Sequence, residues 1–169
     1  MRKFFSVFTI LFIVACSTTK AAEPTYEAIY LVQGIGQLSQ EDLQAHPEVI
    51  VLSSFDDFKK LANNKTALWI DINAAGLVDR NWLTEKPQRF YPIVLVGNSD
   101  TLCSFRDTLG GFGIIEGPDA DCSSPAPGFS VWMLEQDESS HKSAFMRGYE
   151  QVPRVEDILA KTNPLLSKQ

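Results

Sequence analysis

Short apolar runs alternate with amphipathic stretches along most of this chain, and that rhythm predicts its elements. Ala28 to Val32 is strand-like and leads into Gly34-Ile35-Gly36. Ser39 and Asp42 make a capping-box-like start to a short helix that ends near His46-Pro47. Glu48 to Leu52 is a β-branched run, followed by Ser53 or Ser54 as an N-cap and by Phe55, Phe58 and Leu61 at helical spacing. Asp56 and Asp57 stand where the helix dipole favours acids. Ala67 to Ile72 reads as a buried strand and Val78 to Glu85 as a helix stopped before Pro87. Tyr91 to Val96 is a strand whose unbroken apolarity implies cover on both faces.

Ser99 or Asp100 then caps a helix bearing Leu102, Phe105 and Leu109, Gly110-Gly111 ends it, and Phe112 to Ile115 returns as a strand. Strand, helix and strand repeated at this spacing predict right-handed βαβ units and a largely parallel sheet. After Gly117 the rhythm breaks. Pro118 to Gly128 is a loop, Phe129 to Gln136 and Ala144 to Tyr149 pair as an antiparallel hairpin, and Val155, Ile158 and Leu159 mark a last helix before Asn163-Pro164. The predicted fold is α/β, a three-layer sandwich on a mostly parallel sheet with a C-terminal hairpin, in a single domain over residues 26–169.

The N-terminus has a different character. Arg2 and Lys3 precede an apolar stretch, Phe4 to Ala15, broken only by Ser6 and Thr9, and Ile13-Val14-Ala15-Cys16 closes it. Spanning a bilayer takes about 20 apolar residues, so the segment fits a secretory signal better than a membrane span. Its end resembles the lipobox of bacterial lipoproteins. That resemblance implies a signal peptide over residues 1–15, diacylglyceryl transfer to Cys16, cleavage before it and acylation of the new amine. Ser17 then implies outer-membrane sorting in a Gram-negative cell. The alternative is an ordinary signal peptide cut after Ala21 or Ala22, giving a soluble secreted protein. Residues 16–25 are small and polar beyond the cysteine and read as a flexible tether.

Charge sharpens this picture. The chain carries 15 basic and 21 acidic residues, a formal charge of −6. Cleavage before Cys16 removes Arg2 and Lys3 and no acids, leaving the remainder more negative still. An acidic surface argues against nucleic acid and against docking on anionic lipid by charge. Membrane attachment then falls to the acyl chains. With Cys16 acylated, Cys103 and Cys122 remain as a candidate disulfide in an oxidising compartment, worth about 3 kcal/mol if unstrained; the alternative is one buried and one free thiol.

The middle of the chain resembles a second family. Val51-Leu52-Ser53-Ser54, Leu68-Trp69-Ile70-Asp71-Ile72-Asn73, Pro92-Ile93-Val94-Leu95-Val96-Gly97 and Gly113-Ile114-Ile115-Glu116-Gly117-Pro118 look like the strand ends of a response-regulator receiver domain. The resemblance implies a flavodoxin-like or receiver-like shape and places Asp71 at the phosphoacceptor position. It does not extend to the chemistry. No acidic pair follows the first strand, Gly97 or Asn98 stands where a hydroxyl is needed, and Glu116 and Gly117 stand where a lysine is needed.

In open α/β sheets the ligand crevice lies beyond the carboxyl ends of the strands. Those ends present Ser53, Ser54, Asp71, Asn73, Asn98, Ser99, Asp100 and Glu116, a polar group suited to a small hydroxylated or cationic ligand. Against this, Ser54 and Asp100 are needed as helix caps, and Asp71 is an acid inside an apolar strand that must be paired or exposed. Gly34-Ile35-Gly36 lacks the third glycine of a dinucleotide fingerprint, and Asp119 and Asp121 lack the further ligands of a calcium loop. No cofactor and no metal is predicted. Trp69, Trp82 and Trp132 sit in apolar stretches and are expected in the core. The sequence thus predicts an envelope lipoprotein with a non-catalytic binding role toward a small molecule or another envelope protein. The competing class is an extracytoplasmic enzyme with Asp71 as acid or base.

Overall fold

The computed structural model describes residues 27–62, 66–79, 82, 92–100, 126–136 and 142–166. In chain order these form β1 (Ala28–Leu31), α1 (Gln40–Ala45), β2 (Val49–Leu52), α2 (Phe55–Leu61), β3 (Ala67–Asp71), a 3-10 helix (Ile72–Leu77), β4 (Ile93–Val96), β5 (Phe129–Gln136), β6 (Lys142–Tyr149) and α3 (Val155–Leu166). The six strands make one sheet in the order β2-β1-β3-β4-β5-β6.

The sheet is mixed, which corrects the expectation of a mostly parallel, flavodoxin-like or receiver-like sandwich. β2, β1, β3 and β4 run parallel, while β4–β5 and β5–β6 are antiparallel. A receiver-like sheet needs another parallel strand beside β4. Here β5 holds that place, with Val96 opposite Phe129 and Ile93 opposite Trp132. β5 therefore starts at the same end of the sheet at which β4 stops. That junction is closed by the backbone: the Gly97 N–H donates to the Gly128 carbonyl at 2.8 Å and the Ser99 N–H to the Ala126 carbonyl at 3.0 Å. The strand expected at Phe112–Ile115 and the helix before it lie outside the described residues.

β1, β3 and β4 are buried at every position, as unbroken runs covered on both faces must be. Side-chain alternation splits their residues into two cores. Ile29, Leu31, Leu68, Ile70, Leu95 and Trp132 face Phe55 and Phe58 of α2 and Ala74 and Ala75 of the 3-10 helix. Tyr30, Trp69, Val94, Val96, Phe129 and Val131 face Val155, Ile158 and Leu159 of α3, with Leu43 of α1 at the margin. Two of the three tryptophans are core residues, Trp69 and Trp132, while Trp82 is half-buried and packs edge-on against Phe55 and Phe58 at the core's margin with centroids 5.6 and 5.4 Å away.

Local chemistry explains the helix starts. Ser39 Oγ accepts the Asp42 N–H at 3.1 Å and Ser54 Oγ accepts the Asp57 N–H at 3.4 Å, each satisfying an orphan donor of a first turn. Asp42 also reaches across the fold, where its Oδ2 accepts the Val155 N–H at 2.8 Å and so caps α3. α3 runs on through Pro164 to Leu166, past the expected stop, because Leu165 and Leu166 still find apolar contacts on the second core.

Phe58→Ala removes a buried ring shared by α2 and the sheet, so a loss of about 3–5 kcal/mol is expected in urea unfolding. Lys60→Ala, which breaks the exposed Lys60–Asp57 pair, should leave the urea midpoint unchanged within experimental error.

Candidate functional site

The carboxyl ends of β1 and β3 are where the chain diverges, since β1 leads outward to β2 and β3 leads the other way to β4. Such a divergence ordinarily leaves a crevice. Here the chain's own Val32–Leu38 segment occupies it, held by Asp71. Asp71 is the last residue of β3 and is fully buried. Its Oδ2 accepts from the Tyr30 hydroxyl and from the Gln37 N–H at 2.7 Å, and its Oδ1 accepts the Asn73 N–H at 2.9 Å, capping the 3-10 helix.

Register makes this contact possible. Tyr30 lies opposite Trp69, so Asp71, two residues on, projects from the same face of the neighbouring strand. The loop can then descend only because residue 36 is glycine: a Cβ there would lie 2.6 Å from the Tyr30 hydroxyl and 3.2 Å from Asp71 Oδ2. Gly97 does the same on the β4 side, since a Cβ would meet Ile72 at 2.9 Å and Gln37 at 3.0 Å. Its φ of 116° also suits only glycine. Asn73 Nδ2 completes the clamp by donating to the Ile35 carbonyl at 3.2 Å.

Electrostatics agree with the geometry. Burial pushes the Tyr30 phenol well above its usual value of 10.0, and the adjacent Asp71 carboxylate, which accepts its proton in a hydrogen bond, pushes it further. Tyr30 therefore remains a neutral donor, and the carboxylate gains three N–H or O–H partners in place of water. An acid or base must reach the proton of a substrate. Asp71 is instead committed to the chain's own backbone and to Tyr30.

Asn98 and Ser99 are also bonded within the fold. Asn98 is buried and its Oδ1 accepts the Asp100 N–H at 2.8 Å; the Ser99 hydroxyl donates to the Ala126 carbonyl at 3.0 Å. Ser53 and Ser54 line a shallow groove of about 430 Å³ with Asp56, Lys59, Leu77 and Asp79, which none of the other predicted residues borders. Of the expected polar crevice, Ser53 and Ser54 border a groove of their own, whereas Asp71, Asn73, Asn98 and Ser99 stand at the neighbouring ends of β3 and β4 with their polar groups bonded within the fold. Glu116 lies outside the described residues, as do Cys16, Cys103, Cys122, Asp119 and Asp121.

A larger concavity, about 620 Å³, opens beside the Asp71 clamp. Tyr30, Val32, Ile35, Leu38, Leu43 and Val51 form its apolar walls, and Ser39, Gln40 and Gln44 its polar ones. Sequence reading missed this groove. One available signal was Ile35, a large apolar residue placed between two glycines in a turn. Among the described residues no group of three metal-ligating side chains converges, and no helix is long and apolar enough to cross a membrane.

Asp71→Ala strands the Tyr30 hydroxyl and the Gln37 and Asn73 amides, so unfolding stability should fall by at least about 3 kcal/mol. In the same variant, amide exchange at Gln37 should accelerate. The Tyr30 contribution has a definite pH sense. A phenol whose value is raised on folding stabilises fully below about pH 10 and loses that contribution as pH rises through the folded value. The stability difference between the parent and Tyr30→Phe, measured by urea unfolding, should therefore be constant from about pH 7 to pH 9 and narrow above about pH 10.

Comparisons of the chain with protein-family models, with curated proteins and with solved structures find no match.

Proposed function

We propose that this chain is a lipid-anchored protein of the bacterial cell envelope whose α/β domain acts by binding rather than by catalysis. Support for the anchor comes from Ile13-Val14-Ala15-Cys16 after a cationic start and an apolar stretch. A net negative chain has little charge attraction to an anionic bilayer, which leaves acyl chains as the means of attachment. Two or three such chains supply roughly 0.8 kcal/mol per buried methylene, enough for stable residence.

The observation that carries the binding role is the full commitment of Asp71. The one acid set in the sheet at the divergence of β1 and β3 spends its lone pairs on Tyr30, Gln37 and Asn73. The concavity beside it, walled by Ile35, Leu43 and Val51, offers shape and apolar contact, and no Asp, Glu, His, Lys or Cys lines it among the described residues. Its natural occupant is a small molecule or a segment of another envelope protein.

Expression of the full chain in a bacterial host, followed by intact-mass measurement, tests the anchor. The parent should start at Cys16 with the added mass of acyl chains and sediment with membranes. Cys16→Ala should lose that mass and leave the membrane fraction. Membrane residence undiminished in Cys16→Ala, or an unacylated start after Ala21 or Ala22 in the parent, would overturn the reading.

A further inference from the structure

β2 is a border of the sheet among the described residues, paired with β1 on one side only. The Glu48 and Leu52 carbonyls accept from Ala28 and Val32 at 3.4 and 2.9 Å. Backbone groups of successive residues alternate between the two sides of a strand in a parallel ladder, so Ile50 also faces β1 while Val49 and Val51 face outward. The Val49 N–H turns back to the His46 carbonyl at 3.0 Å. This leaves the Val49 carbonyl and both backbone groups of Val51 on the open side.

Exposed edges are ordinarily blunted by lysine, proline or a bulge. Val49-Ile50-Val51-Leu52 has none of these and consists of the side chains that favour extended pairing. The Val51 side chain is 45% exposed and forms one wall of the 620 Å³ groove, and Ile35, 92% exposed, stands at its rim. Among the described residues none that lines the groove carries a formal charge, on a chain whose net charge is −6. Both the edge and the groove are small. A stable interface between folded partners takes about 800 Å² from each side, whereas a four-residue edge with a groove of this volume suits one short segment.

We infer that β2 is a docking edge for an extended, uncharged polypeptide segment. The segment adds as a further strand beside Val49–Leu52, exchanges main-chain hydrogen bonds with Val51, and seats an apolar side chain in the groove between Val51, Leu43 and Ile35. Main-chain pairing supplies the attraction, and the walls, which offer no opposite charge, select against acidic or basic side chains. This deepens the binding role proposed above and rests on it.

The test uses the full processed protein in detergent micelles and an end-capped heptapeptide of alternating threonine and valine with a central leucine, labelled for fluorescence anisotropy. Saturable binding is expected. Val51→Pro removes the outward N–H at a position where an edge strand tolerates proline, and should weaken binding about tenfold. Val51→Thr keeps the N–H and the branched shape and should bind as the parent does. Ile35→Asp, a loop variant that leaves the sheet intact, should also weaken binding about tenfold by placing a charge at the rim. It decides the matter if circular dichroism shows Val51→Pro misfolded. No binding up to about 1 mM peptide, unchanged binding in a folded Val51→Pro or in Ile35→Asp, or self-association of the parent abolished by either variant, would overturn the inference. The last outcome would assign the edge to a second copy. Anchoring through Cys16 is read separately, so failure here with anchoring intact discards the edge and leaves the anchor standing.

Discussion

A single buried carboxylate organises the carboxyl end of this sheet. Placing an unpaired charge in a protein interior costs several kcal/mol, so Asp71 is tolerable only while Tyr30, Gln37 and Asn73 all direct hydrogens at it. That requirement ties three pieces of chain together. β1 contributes the tyrosine, the connection to α1 contributes an amide, and the 3-10 helix begins on the other carboxylate oxygen. Gly36 and Gly97 are consequences of the same constraint, because the connection must pass where a Cβ would strike Tyr30 on one side and Ile72 or Gln37 on the other. A crevice that an α/β sheet commonly keeps for ligands is thereby filled from within, and the available concavity shifts outward toward β2.

The second organising feature is the change of direction at β4. Its inner side accepts β3 in parallel register and its outer side accepts β5 in antiparallel register. Only the first half of β5 pairs with β4, whereas all eight of its residues pair with β6. Gly128 sits at this seam, and a Cβ there would fall 2.0 Å from the Tyr149 carbonyl oxygen. The seam explains how one sheet combines a crossover-rich first half with a hairpin, and side-chain alternation along β5 sends Trp132 to the core of α2 and its neighbour Val131 to that of α3.

Chemistry written in consecutive residues was legible. The caps at Ser39 and Ser54, the buried runs of β1, β3 and β4, the helix around Val155 and the need of Asp71 for partners all follow from side-chain type and short-range spacing. The partners of Asp71 were not legible. Tyr30 lies 41 residues away and Gln37 34 residues away, and the Gln37 donor is a backbone amide that no side-chain pattern announces. The predicted crevice failed for a related reason: Asn73 and Ser99 bond the Ile35 and Ala126 carbonyls, 38 and 27 residues away, and Asn98 bonds the nearby Asp100 amide, and a list of polar strand ends cannot distinguish a residue that awaits a ligand from one already bonded.

The sequence by itself determined the strands β1 to β4 and the starts of the helices at Ser39 and Ser54, the acidic character of the chain and the candidate anchor at Cys16, because each depends on neighbouring residues or on composition; it missed the 3-10 helix Ile72–Leu77 and read a helix from Val78, which is extended. Tertiary structure alone decided the neighbour of β4. A parallel strand and an antiparallel strand share the same alternation and the same β-branched residues, so direction is set by which end of the sheet the chain reaches after a long connection. It also decided the partners of Asp71, since which donors surround a carboxylate depends on distant segments that the fold brings to it.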